Sequence, residues 1–145
     1  MHTNDTDLFA IHDYTKSGED LYQKYKDITG ESATIPKNGR DALIATYKYN
    51  GAPLYLSEFG GIAYIPPGAQ VPAQSWGYSG VEKTQQAAFA RLAQLFGGLA
   101  KLPNLVGFCY TQLTDVEQEV NGLLTYDRKA KFDVRQVKAL NDAFQ

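Results

Sequence analysis

Three short apolar runs lie far apart in the chain: Leu8-Phe9-Ala10-Ile11, Leu54-Tyr55-Leu56 and Leu105-Val106-Gly107-Phe108-Cys109-Tyr110. Each is followed, after a loop, by a helical pattern, and this alternation limits the fold more than any other feature. Parallel neighbours need a long return path, which a helix supplies through a right-handed crossover, so the expected class is α/β with parallel strands. None of the runs alternates cleanly with polar residues, which predicts strands covered on both faces.

The helical signals differ in kind. Ser17 with Asp20 three residues on resembles an N-terminal cap, and Leu21, Tyr25 and Ile28 then fall on one face, predicting a helix over 18–28. Ser79-Gly80-Val81-Glu82 reads as a capping box ahead of the stripe Ala88, Leu92, Leu95, Phe96 and Leu99, with Gly97-Gly98 and Pro103 at the exit. Asp133 with Gln136 opens a third helix whose expected buried face is Val134, Val137, Leu140 and Phe144. Ala42-Leu43-Ile44-Ala45 fits helix and extended chain equally. A length of 145 residues suits one domain.

Composition removes several classes of function. With 14 Lys+Arg against 16 Asp+Glu there is no basic surplus to neutralise phosphates, so nucleic acid is not an expected partner. No run of about 18 apolar residues could span a bilayer, so no membrane partner is expected. The first residues do not read as a signal peptide. One cysteine, Cys109, excludes an internal disulfide and any multi-cysteine metal site, and its apolar run makes it a packing residue. No phosphate-binding Gly-Lys-Ser/Thr loop and no Gly-x-Ser-x-Gly turn is present. The ten tyrosines offer flat apolar faces with polar tips, which suit sugars and ordinary packing alike.

Chemistry is best sought where the apolar runs turn polar: His12-Asp13-Tyr14, Ser57-Glu58, and Thr111-Gln112 leading to Asp115. In parallel α/β folds the carboxyl ends of the strands converge on one face, so Tyr14, Glu58 and Tyr110 could share a pocket. Glu58 is the sharpest candidate. A fixed carboxylate can attack an anomeric carbon, act as a base or bind a cation; the plainer alternative is a solvated strand-end glutamate. His12 beside Asp13 fits a metal ligand or general base less well than a structural histidine. Asp115, Glu117 and Glu119 read as a solvated acidic loop.

Leu56-Ser57-Glu58-Phe59-Gly60-Gly61, and the run Gly107-Phe108-Cys109-Tyr110-Thr111-Gln112-Leu113-Thr114-Asp115 continuing through Asn121-Gly122-Leu123-Leu124 to Lys131, resemble glycoside hydrolase family 2. That family holds β-galactosidases, β-glucuronidases and β-mannosidases. Ile11-His12-Asp13-Tyr14 fits the strand before, so the resemblance covers essentially the whole chain. It implies the carboxyl-terminal segment of a (β/α)8 TIM barrel, strands six to eight, in a hydrolase acting on β-glycosides. By the same resemblance Glu58 is the nucleophile of a retaining mechanism, and Tyr14 donates a hydrogen bond that favours the ionised carboxylate. Tyr110 falls where several relatives carry a tryptophan floor for the sugar, and Trp76, Asn121 and His12 are expected around the substrate.

The family's acid/base is a Glu following an Asn on strand four, and no Asn-Glu pair occurs here. The chain alone is therefore expected to be inactive, and Met1 to be a truncation point, which leaves localisation open with cytoplasmic favoured. Neither a metal nor a cofactor is demanded. Three strands cut from a barrel leave two unpaired edges and an apolar inner face, so a homo-oligomer through that face is expected. The alternative is a non-catalytic α/β module that binds carbohydrate or self-assembles.

Overall fold

The computed structural model describes residues 6–28, 36–37, 40–41 and 49–144. In chain order the elements are β1 (Phe9–Asp13), α1 (Gly18–Tyr25), β2 (Pro36–Lys37), β3 (Arg40–Asp41), β4 (Leu54–Gly60), β5 (Ala63–Tyr64), β6 (Val81–Glu82), α2 (Gln85–Leu99), β7 (Leu105–Thr111) and α3 (Val134–Asp142). The predicted strand and helix alternation is present, and β1, β4 and β7 form a parallel sheet in that order. The pairs β2–β3, antiparallel, and β5–β6, parallel, are short additions. The ambiguous segment Ala42-Leu43-Ile44-Ala45 lies outside the described residues.

Ser17 caps α1 as expected, its side chain accepting from the Asp20 amide at 3.0 Å. The helix stops at Tyr25 rather than 28; the chain turns there, with the Ile28 amide donating to Tyr25 O, and this still delivers Ile28 to the core. The capping box before α2 is corrected. Thr84 is the N-cap, accepting from the Ala87 amide, whereas Val81–Glu82 is strand β6. Glu82 is held at 2.9 Å by Arg91 instead of folding back, and the Ser79 hydroxyl donates to Gly60 O and Gly61 O. The predicted stripe of α2 is buried at every position. Asp133 caps α3 as expected, but that helix has no buried residue and Val134 is 66% exposed. Val137 and Leu140 are partly covered, as is Phe144 just past the helix, whose ring is edge-on to Phe108 at 4.8 Å.

Helices α1 and α2 cross so closely that their glycines are required. A β-carbon on Gly18 would sit 1.8 Å from Gln94 O, and one on Gly98 would sit 2.1 Å from Gly18 O. Leu21 and Tyr25 of α1 and Leu92, Leu95, Phe96 and Leu99 of α2 join Phe9, Ile11, Leu54, Leu56 and Phe59 in one core. Both crossover helices therefore cover the same face of the sheet, which corrects the expectation of strands covered on both. Parallel strands added in sequential order, with crossovers of one hand, carry their helices to one side; only a reversal of strand order covers the second. The opposite face is open: β1 alternates between buried and exposed residues, and Val106 and Cys109 of β7 are exposed.

Candidate active site

Glu58 reaches the open face because β4 is bulged. Leu54 and Leu56 are buried against the helices, and simple alternation would send residue 58 after them, yet the next fully buried side chain is Phe59. The pairing slips at that point. Ile11 is opposite Leu56 and His12 is opposite Glu58, so Ser57 is skipped, and its hydroxyl donates to Ile11 O at 3.2 Å. One extra residue reverses which side chains face the core, so a carboxylate destined for the apolar side emerges on the open one.

Two neighbours from the end of β1 meet it there. The Tyr14 hydroxyl donates a short hydrogen bond to Glu58 Oε2, and lies 3.4 Å from Thr111 Oγ1. His12 Nδ1 is 3.3 Å from the same Oε2, with the His12 side chain 55% exposed, so the structural-histidine expectation is corrected. Oε1 takes no hydrogen bond among the described residues. Burial, and then the bond to Glu58, push the Tyr14 phenol well above its ordinary value, which keeps it protonated as a donor. Asp13, between these two residues, points the other way into the core. Burial raises its carboxyl, but hydrogen bonds from Lys24 at 2.5 Å, from Thr15 and from Tyr25 outweigh this and hold it below 3.8.

The loop after β4 builds an aromatic wall beside Tyr14. Tyr78 stacks on the Tyr14 ring at 3.8 Å with the planes 3° apart, and Trp76 meets Tyr78 edge-on at 5.1 Å. Trp76 and Tyr78 remain 42% and 43% exposed. Gly61, at φ 58°, makes the stack possible, since a β-carbon would come within 3.0 Å of both tyrosines. Trp76 is fixed through its backbone, which exchanges hydrogen bonds with Gln118 O and the Val120 amide.

Glu58, Tyr14 and His12 are thus brought together with the Trp76 loop, whereas two other expected residues are placed elsewhere. Tyr110 turns to the helix side; its ring packs on Phe59 and against Gly60, and its hydroxyl donates to Asn121 O. Asn121 is fully buried, not on a rim, and its amide donates to Thr111 O at the end of β7. The register puts Tyr110 opposite core-facing Phe59, which is why it cannot floor the open face. Cys109 is corrected from packing to exposed, with Sγ 3.0 Å from the Tyr55 hydroxyl.

Sequence reasoning put Thr111 at a polar strand end without joining it to the carboxylate, and singled out neither Tyr78 nor the buried pairing of Lys131 with Asp115. Asp115 is not part of a solvated loop. Lys131 Nζ, wholly buried, donates to Asp115 Oδ1 at 2.7 Å and to Tyr64 O and Val120 O, each at 2.8 Å. Burial lowers the Lys131 pKa, and Asp115 opposes that. Three donors and three acceptors around one ammonium knit the loops after β4 and β7 together. A cavity of about 880 Å³ lies between residues 66–72 and 115–130 of these loops, and none of the six predicted site residues lines it. Among the described residues no group of three or more His, Cys, Asp or Glu could hold a metal ion, and no helix is long and apolar enough to cross a membrane.

No protein-family profile matches the sequence, and no curated protein does. Among solved structures, a family 2 β-galacturonidase from Eisenbergiella tayi bound to galacturonate aligns over 95% of this chain and 24% of its own, at 16% identity and a TM-score of 0.53. The same kind of enzyme bound to glycerol aligns over 95% and 23%, at 17% identity and a TM-score of 0.55. A Bifidobacterium dentium β-glucuronidase complexed with coumarin-3-O-glucuronide aligns over 64% and 15%, at 19% identity and a TM-score of 0.45. The chain spans no more than a quarter of the length of these enzymes. At such identities the likeness is one of fold: the described residues fold like part of a family 2 glycosidase.

Proposed function

We propose that this chain is the carboxyl-terminal portion of a (β/α)8 barrel from a retaining β-glycosidase, with Glu58 as its nucleophile. The observation that carries this reading is the bulge in β4, which turns Glu58 to the open sheet face with Oε2 held and Oε1 free of hydrogen bonds among the described residues. Sequential parallel strands with helices on one side are also what a segment of barrel wall requires. In the complete enzyme a Glu58 oxygen would form a bond to the anomeric carbon while the bond to the leaving oxygen breaks. The departing oxygen keeps the electron pair and takes a proton from a carboxylic acid on an earlier strand. Water, deprotonated by that same group, then displaces Glu58 and releases the sugar. Tyr14 steadies the carboxylate, and the exposed faces of Trp76 and Tyr78 offer apolar surface to a sugar ring.

This chain lacks the acid, which alone is worth about 10² to 10⁴-fold, so natural β-glycosides are expected to remain intact. A dinitrophenyl fluoroglycoside needs no acid to depart. Incubating the chain with a galactosyl, glucuronyl and mannosyl set of these reagents is expected to give a slow adduct on the peptide bearing Glu58, absent in Glu58→Gln. Labelling elsewhere would refute the nucleophile, and robust turnover of a natural β-glycoside would refute the fragment. A second reading, a non-catalytic module that self-assembles, is favoured by the open face with Val106 55% exposed and by the outer positions of β1 and β7 in the sheet.

A further inference from the structure

Both groups that meet Glu58 come from one strand end, and they meet the same oxygen. Residues 12 and 14 lie on one side of the chain and Asp13 on the other, where Thr15, Lys24 and Tyr25 fix it in the core. The end of β1 is therefore a clamp with two jaws and an anchored middle. Resting on the reading of Glu58 as the nucleophile, we propose that His12 is a positioning residue: its Nδ1 and the Tyr14 hydroxyl together hold Oε2, which assigns Oε1 as the atom that attacks the anomeric carbon.

The two oxygens of a free carboxylate are equivalent, and neighbours alone make them different. The Tyr14 hydroxyl donates to Oε2 and His12 Nδ1 lies 3.3 Å from the same atom, so polar contacts gather on that side, while Oε1 takes no hydrogen bond among the described residues. The strands are built for this contact, since His12 and Glu58 are partners in the β1–β4 register. Competing charges are absent around His12 among the described residues. Asp13, its neighbour in sequence, is turned away and paired with Lys24, which leaves Glu58 as the one charged group within ion-pair distance.

A neutral imidazole that serves Oε2 must carry its proton on Nδ1, the less common tautomer of a free histidine. Nitrogen-15 spectra of the wild-type chain, above the titration of the ring, read this directly, and His12→Asn assigns the signal against His2. The expected result is an Nδ1–H tautomer for His12 that reverts to Nε2–H in Glu58→Leu. An Nε2–H tautomer of His12 in the wild type would overturn the clamp. Fluoroglycoside labelling of Glu58 is expected to slow about tenfold in His12→Leu and to recover most of the way in His12→Asn, which keeps a donor. Equal labelling rates in all three chains would also overturn it. Labelling together with an Nε2–H tautomer sinks the clamp and leaves the nucleophile standing; an Nδ1–H tautomer without any labelling supports the clamp and sinks the nucleophile.

Discussion

The covered and open faces of the sheet are made by the same three strands, and they divide the work of the molecule. On the covered side Phe9, Ile11, Leu54, Leu56 and Phe59 are at most 5% exposed and lock into two helices. On the open side stand His12, Glu58, Val106 and Cys109, side chains that pack against little and can meet something else. Apolar burial drives folding and is indifferent to direction, whereas a reactive carboxylate needs a fixed direction and access. The strands supply both by alternation, and at β4 a bulge decides which residue goes where.

The largest expected effect lies on the covered face. Phe59→Ala removes a ring that contacts Phe96, Phe108 and Tyr110, and should cost about 3–5 kcal/mol by urea unfolding. A loss below about 1 kcal/mol would mean that the helices do not hold this face. Asp13→Asn is expected to cost about 2–3 kcal/mol at neutral pH, since Lys24, Thr15 and Tyr25 lose a charged acceptor. The Asp13 carboxyl is depressed in the folded chain, so its contribution is complete above the ordinary carboxylate value of 3.8 and fades as pH falls through the lower folded value. The gap between wild type and variant should therefore close in strong acid; a gap that stays constant with pH contradicts the ion pair. The smallest effect belongs to the open face. Val106→Lys is expected to change unfolding stability by no more than about 0.5 kcal/mol. If a second copy covers that face, the same substitution should shift sedimentation from dimer towards monomer, and a wild-type chain that sediments as a monomer removes self-assembly through this face.

Much of the framework was legible because it is local. Apolar runs marked the three long strands, and Ser17 and Asp133 announced their helices through side chains that bond the first turn. Ser79 misled for a physical reason: a serine three residues before a glutamate fits a cap, but tertiary partners claimed both, Gly60 and Gly61 for the hydroxyl and Arg91 for the carboxylate. At the site, strand ends pointed to Tyr14, Glu58 and Tyr110 as a group with His12 as a structural residue, whereas the structure brings His12 to Tyr14 and Glu58 and turns Tyr110 away. Their mutual contacts depend on register, and the skipped Ser57 has no signature in Leu-Tyr-Leu-Ser-Glu-Phe. Tyr110 was misplaced for the same cause, since which face a residue of β7 takes depends on the strand beside it, whereas Asn121 lies in the chain past β7 and is buried there with its amide on Thr111 O. Lys131 was invisible because an ammonium is rarely buried unless a carboxylate and carbonyls from distant loops surround it.

The stack that runs from Trp76 through Tyr78 to Tyr14 makes the site its own optical probe. Trp76 is the single tryptophan of the chain, partly exposed and in ring contact with the tyrosine that stacks on the partner of Glu58. Indole emission responds to changes in the water around the ring and in the rings against it. Anything that enters between this wall and the carboxylate will therefore alter the emission of this one indole, so a titration followed by fluorescence reads binding at the wall beside Glu58.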